Sequence, residues 1–159
     1  QFFADPRLKP GERAELGDYR ASGLDRGHSA PAADRHDKNS MAQSFSLSNM
    51  MPQDPENNRK IWSKIESDVR KFASRSAGDV FVYTGPVFSG SIETIGDNKV
   101  WVPSHLFKLV YDQSSQRAWA YLLPNSGQAS INKPIAYSEF VKYTGLRLLD
   151  GLPVTGTVR

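Results

Sequence analysis

Two short blocks of this chain hold residue types that could do chemistry together. The first is Asp25-Arg26-Gly27-His28, and the second runs from Asn49-Met50-Met51-Pro52-Gln53 into Asn57-Asn58. His28 offers an imidazole whose ordinary pKa lies near neutrality, suited to taking a proton from water. Asn58, thirty residues further on, offers a neutral amide oxygen of the kind Mg²⁺ accepts among its waters. Arg26 adds a permanent charge with a fork of donors that matches phosphate. A base, a hard oxygen ligand and phosphate-binding groups are what metal-assisted phosphodiester hydrolysis requires. A four-letter run arises by chance; a second block at a distance that a strand–strand–helix unit can close is far more specific.

The elements that must position these residues are legible to different degrees. Residues 1–40 are rich in charge, Pro, Gly and Ala. They read as an extended approach through Phe2, Phe3, Pro6 and Pro10, a short helix over 12–19, and a strand ending in the Asp25–His28 run. Strict alternation over 44–48 predicts a half-buried strand with Phe45 and Leu47 inward. Residues 49–56, with Pro52 and Pro55, read as a loop entering a helix. The helix over 57–75 is the clearest element. Ile61, Ile65, Val69 and Phe72 make one apolar stripe, while Asn58, Trp62 and Glu66, spaced by four, make a second stripe beside it. The rest reads as sheet: strands at 80–83, 99–102, 107–111 and 118–123, with a polar turn over 112–116. A short helix at 139–143 follows, capped by Ser138 and stopped by Gly145. One α+β domain spanning 1–159, with a mixed, mostly antiparallel sheet, is the economical reading.

Taken alone, most candidates have ordinary explanations. An isolated histidine is more often a hydrogen-bonding structural residue, and His36 and His105 are read so. Asn57 suits helix capping better than metal binding. Trp62 is expected in packing rather than base stacking, and Met50 and Met51 in the core. Lys60, Arg70, Lys71 and Arg75 either face a nucleic-acid backbone or solvate the helix.

Composition narrows the field. The net charge of +3 mildly favours a polyanionic partner without demonstrating one. With no cysteine, neither disulfides nor a thiolate metal site can form. No apolar run approaches a membrane span, so no membrane partner is expected. The chain starts at Gln1, which fits a removed leader or a fragment.

Leu24-Asp25-Arg26-Gly27-His28-Ser29-Ala30-Pro31, the Asn49–Gln53 block and Asn57-Asn58-Arg59-Lys60-Ile61-Trp62 together resemble the DNA/RNA non-specific endonuclease family. These are the ββα-metal (His-Me finger) nucleases related to endonuclease G and to secreted bacterial nucleases. Tyr83-Thr84-Gly85-Pro86-Val87-Phe88, Val102-Pro103-Ser104-His105-Leu106-Phe107-Lys108, Leu123-Pro124-Asn125 and Thr144-Gly145-Leu146 extend the likeness over nearly the whole chain.

The resemblance implies a Mg²⁺-dependent endonuclease, with Mn²⁺ able to replace Mg²⁺, cutting DNA and RNA to 5′-phosphate and 3′-hydroxyl ends. It implies His28 as general base, Asn58 as the one protein ligand of the metal, and Arg26 near the scissile phosphate. It implies Glu66 and Gln53 as residues that hold metal-bound water and ligand geometry, with Asp25 and Arg59 supporting the site. Family members also carry earlier strands and an upstream arginine, whose counterpart is expected before Gln1. The natural protein is then longer, or a second polypeptide supplies those strands, or activity is impaired. The longer form is expected to be active and these 159 residues alone weak or dead. A homodimer is compatible with this reading. A secreted or periplasmic setting is expected, with an organelle as the alternative. Competing functions on the same scaffold are an impaired nucleic-acid-binding module and a delivered antibacterial toxin with a cognate inhibitor.

Overall fold

The computed structural model describes residues 1–130 and 133–156. Its principal elements are α1 (Leu16–Tyr19), β1 (Asp25–His28), α2 (Lys38–Gln43), β2 (Met50–Gln53), a π-helical stretch over Asn57–Trp62, and α3 (Ser63–Arg75). Then come β3 (Val80–Val87), β4 (Glu93–Ile95), β5 (Val100–Val102), β6 (His105–Asp112), β7 (Arg117–Pro124), β8 (Ile135–Ala136) and α4 (Tyr137–Thr144).

A four-stranded antiparallel sheet in the order β3-β6-β7-β8 forms the centre. Because β6 alternates, its two faces feed two cores. Leu106 and Val110 pack with Trp62, Ile65 and Val69 of the long helix, and with Trp119 and Leu123. Phe107, Leu109 and Tyr111 pack on the opposite face with Phe140 of α4 and with Leu149. Each fully buried apolar side chain of this kind contributes about 1.5–3 kcal/mol. The order is therefore helix, sheet, helix, and the mixed, mostly antiparallel α+β class read from the sequence holds.

The unit that presents the site lies beside this sheet. β1 and β2 pair antiparallel as a separate ribbon, with Asp25 opposite Gln53 and His28 opposite Met50. Pro52 sits within β2 opposite Arg26, which a two-stranded ribbon tolerates because each strand has a free edge. Gly27 is required there: a Cβ would fall 1.9 Å from Gln53 Oε1. From β2 the chain enters helix directly. Asp54 caps it, its Oδ1 accepting the Asn57 backbone N–H at 2.9 Å, and Pro55 takes the first helical position.

Several expectations are corrected. Residues 44–48 are not a strand; Ser44, Phe45, Ser46 and Asn49 donate to carbonyls three or four residues back, and a 3-10 turn covers Leu47–Asn49. Leu47 is nonetheless buried. The ladder partner of Asp25–His28 is instead Met50–Gln53, which the sequence reading gave to a loop because of Pro52. Residues 57–75 are helical but not uniformly α: six residues at the start carry π bonding. The core stripe consequently runs Trp62, Ile65, Val69, with Ile61 and Phe72 only partly buried. The helix expected over 12–19 shortens to Leu16–Tyr19. Helix α2, with Asp37 accepting from the Asn39 and Ser40 backbone amides, was not foreseen. α4 begins at Tyr137 with Ala136, not Ser138, at its cap, and Gly145 ends it in the left-handed conformation at φ 74°.

Candidate active site

Asp25, Arg26 and Asn58 line one cavity of about 290 Å³, completed by Phe2, Tyr19 and Leu24. The asparagine is held by its neighbours. Its Nδ2 donates to Asp25 Oδ2 at 2.9 Å, and Arg59 clamps the same carboxylate through Nε and Nη2 at 2.8 and 2.7 Å. Asp25 in turn raises the Arg59 pKa, chiefly through its hydrogen bonds. With Nδ2 engaged, Asn58 Oδ1 is the atom left over; no hydrogen bond reaches it among the described residues. Arg59 thus spends Nε and Nη2 on Asp25, with its side chain still largely exposed.

Asn57 and Asn58 are adjacent in sequence and opposite in situation. Asn57 is fully buried: Gln53 Nε2 donates to its Oδ1 at 2.8 Å, and its Nδ2 reaches the Pro124 and Ser126 carbonyls at 3.1 and 3.2 Å. It staples β2 to the loop after β7 and does not cap the helix, which is Asp54's task. Gln53 is likewise fully buried and acts through Asn57, on the protein side of the site. A π-bulge at this helix start shifts Asn58 relative to α3, and such bulges recur at functional sites.

Arg26 has no carboxylate partner among the described residues. Its guanidinium carbon lies 5.0 Å from the Phe2 ring centroid and 5.5 Å from that of Tyr19. One long bond, 3.4 Å, runs from Nη2 to the Leu16 carbonyl, and Nε is buried with no acceptor. A permanent cation with unspent donors favours an anionic ligand.

His28 stands at the end of β1, outside that cavity but sharing Phe2 with Arg26. Its ring meets Phe45 edge-on at 4.9 Å and tilts against Phe2 at 6.0 Å. Nε2 is buried without a partner among the described residues, whereas Nδ1 is not among the buried unpaired atoms and no hydrogen bond reaches it among those residues. Burial lowers the imidazole pKa, which keeps it neutral and able to accept a proton.

Glu66 lies two helical turns past Asn58, half-buried. Burial raises its pKa, opposed by the charge of Lys108 and, more weakly, of Arg70, while Asp34 pushes it up further. Lys108 is a residue the sequence reading passed over. It is 1% exposed, donates to Thr84 Oγ1 at 2.6 Å and lies 5.5 Å from the Trp62 ring. Its position amid Leu106 and Val110 on β6 was the available signal, since a lysine in an alternating buried strand requires a partner. Asn49 and Asn125 were noted only as motif letters. Asn49 ties Ala30 and Ser44 together, and Asn125 joins Asp54, Pro52 and Pro103. His105 lies between Ser104 Oγ and the Tyr143 hydroxyl. Lys60 and Arg70 are engaged by Glu56 and Asp34 on the surface.

The donor set suits Mg²⁺. Among the described residues no three His, Cys, Asp or Glu side chains converge into a cage. One oriented amide oxygen on an open polar cavity fits a cation that keeps most of its water.

Several known nucleases are similar to this chain. The chain is 32% identical over its whole length to the mitochondrial nuclease EXOG of Homo sapiens, spanning 49% of that protein. It is 34% identical over 88% of its length to human mitochondrial endonuclease G, spanning 50% of it. It is also 34% identical over 98% of its length to nuclease C1 of Cunninghamella echinulata var. echinulata, spanning 68%. The chain thus spans about half the length of the two human relatives. The solved structure of EndoG in complex with EndoGI superposes with a TM-score of 0.88 at 30% identity, covering 99% of this chain and 73% of that one. The family model for DNA/RNA non-specific endonucleases matches residues 1–155, and the chain belongs to that family.

Proposed function

We propose that this chain carries the catalytic site of a Mg²⁺-dependent nuclease that hydrolyses phosphodiester bonds in DNA and RNA, leaving 5′-phosphate and 3′-hydroxyl ends. The observation that carries the reading is the Asp25–Asn58–Arg59 network, which leaves a single amide oxygen unspent on a cavity shared with an unpaired arginine. Asn58 is the residue that would hold Mg²⁺, and when bound the ion would offset charge on the departing 3′ oxygen.

The chain's own residues do the remainder. Arg26 binds the scissile phosphate, its charge unopposed by any carboxylate among the described residues. His28 accepts the proton of the attacking water at Nδ1, since Nε2 is buried, while Phe2 and Phe45 fix the ring plane. Glu66 orders water on the helix side of the site. Gln53 fixes the start of the helix through Asn57, and Asp25 with Arg59 fixes the rotamer of Asn58. Contacts made to phosphate rather than to base edges account for indifference to sequence and sugar. The mitochondrial designation of the EXOG and endonuclease G relatives favours an organellar setting over a secreted one.

The test uses the natural polypeptide that contains this chain, with single- and double-stranded DNA and RNA. Cleavage of all four in Mg²⁺ or Mn²⁺, its loss in EDTA without loss of fold, and a steep fall with added salt are expected. Salt-sensitive binding with no cleavage in any divalent metal would replace the enzyme by the binding-module reading.

A further inference from the structure

Tyr19 belongs to neither the sequence blocks nor the mechanism above, yet it lines the same cavity as Arg26 and Asn58. The residue is 5% exposed and packs with Leu47 and Met50. The hydroxyl is buried and has no hydrogen-bond partner among the described residues. Packing explains the ring but not the oxygen, since phenylalanine would fill the same space without leaving a polar atom unpaired.

The position is built with care. Asp18, the preceding residue, is 3% exposed and accepts from Glu15 N, Asn98 N and Asn98 Nδ2, tying the single turn of α1 to the β4–β5 hairpin. Gly96 of that hairpin has φ 69°, and a Cβ there would lie 2.2 Å from Asp18 Oδ1. The tyrosine is therefore anchored through its neighbour, not left to a mobile turn.

Beside it, Arg26 Nε is a second buried donor with no acceptor among the described residues. The nearest carboxylate on the cavity, Asp25, is already occupied by Asn58 and Arg59. Tyr19 and Arg26, two side chains lining one cavity, thus each carry a buried donor without an acceptor among the described residues, and the one carboxylate in that lining, Asp25, is saturated. That is complementary to an oxyanion with several acceptor atoms.

We propose that Tyr19 is a substrate-contacting residue whose hydroxyl donates a hydrogen bond to a phosphate oxygen of the nucleic acid, alongside Arg26. The assignment deepens the nuclease reading and rests on it for the identity of the ligand. Burial pushes the phenol pKa well above its ordinary value, so the group is a protonated donor throughout the physiological range. As a neutral donor it adds affinity without displacing a counterion, which separates it from Arg26 in experiment.

The experiment compares Tyr19→Phe and Arg26→Ala with wild type in the natural polypeptide. A fluorescent single-stranded DNA is titrated in EDTA at several salt concentrations, so that binding is read without cleavage. Tyr19→Phe is expected to weaken binding about tenfold, with an unchanged slope of log affinity against log salt and a melting temperature equal to or above wild type. Arg26→Ala is expected to reduce that slope by about one. Affinity for Tyr19→Phe within twofold of wild type would overturn the proposal and leave the hydroxyl to buried water. A fall in melting temperature matching the loss of binding would also overturn it, because the role would then be structural. If wild type binds but never cleaves, the nuclease reading fails while the binding comparison still decides for or against Tyr19.

Discussion

Exchanging either of two neighbouring asparagines should break different things. Asn57→Ala removes the acceptor of Gln53 Nε2 and the donor to two carbonyls, in a place with no exposure. Leaving a buried polar group unpaired costs about 1–3 kcal/mol. Gln53 already has one amide atom, Oε1, without a partner among the described residues, so losing the other contact strands its whole amide. Counting the amide and two partly compensated carbonyls, the loss is about 3–5 kcal/mol. For a chain of this size that corresponds to a melting temperature lower by roughly 6–20 °C. Asn58→Ala removes one half-buried hydrogen bond to a carboxylate that keeps its Arg59 clamp, for about 1.5 kcal/mol, the low end for a bond to a charged group. Calorimetric melting of both variants, with nuclease activity and Mn²⁺ affinity measured well below the transitions, separates them. Asn58→Ala should melt within about 6 °C of wild type while losing metal affinity and cleavage; Asn57→Ala should melt early yet keep metal affinity in its folded fraction. The reverse ranking, with Asn57→Ala stable and unable to bind metal, would refute the assignment of the two residues.

Two further outcomes are expected. Gly27→Ala places a methyl group against Gln53 Oε1 and Cβ, so the ribbon must part or Gln53 must leave Asn57; overpacking of about 1–3 kcal/mol should lower the melting temperature, and a variant as stable as wild type would contradict the described contact. Because burial lowers the His28 pKa, kcat/KM should rise with pH and level off by neutrality, with its inflection below the ordinary imidazole value of about 6.5; an inflection at 7 or above would contradict it. The same burial makes His28's contribution to stability complete above about pH 6.5 and progressively lost as pH falls from there through the lower folded pKa, because the unfolded chain binds the proton first.

What the sequence made legible followed from local pattern. The Asp25–His28 and Asn49–Asn58 blocks pointed to the ribbon and helix, since motif spacing reports residues that a short supersecondary unit brings together. Ile65 and Val69 were readable from helical period, and β6 and β7 from alternating apolar runs. The misreadings have physical causes. Alternation in Ser44–Ser48 imitated a strand, while local serine and backbone hydrogen bonds closed turns there. Pro52 argued against a strand that an isolated ribbon tolerates. Trp62 is packed as expected, but the π-bulge sets it in line with Ile65 and Val69 rather than on the stripe of Asn58 and Glu66, a change of register that period counting cannot detect. Asn57 and Lys108 owe their roles to partners more than twenty residues away, and Tyr19 to a cavity wall, and no local pattern announces these.

The central claim is that His28 at the end of β1 and Asn58 on the bulged helix form one hydrolytic site. Its most direct test is the initial rate of supercoiled plasmid nicking in Mg²⁺ by the natural polypeptide and by His28→Ala, with DNA affinity measured in EDTA. The account predicts a rate lower by about a hundredfold to ten-thousandfold, DNA affinity within a few-fold of wild type, and partial recovery on adding imidazole. A His28→Ala protein that nicks plasmid at the wild-type rate would contradict it.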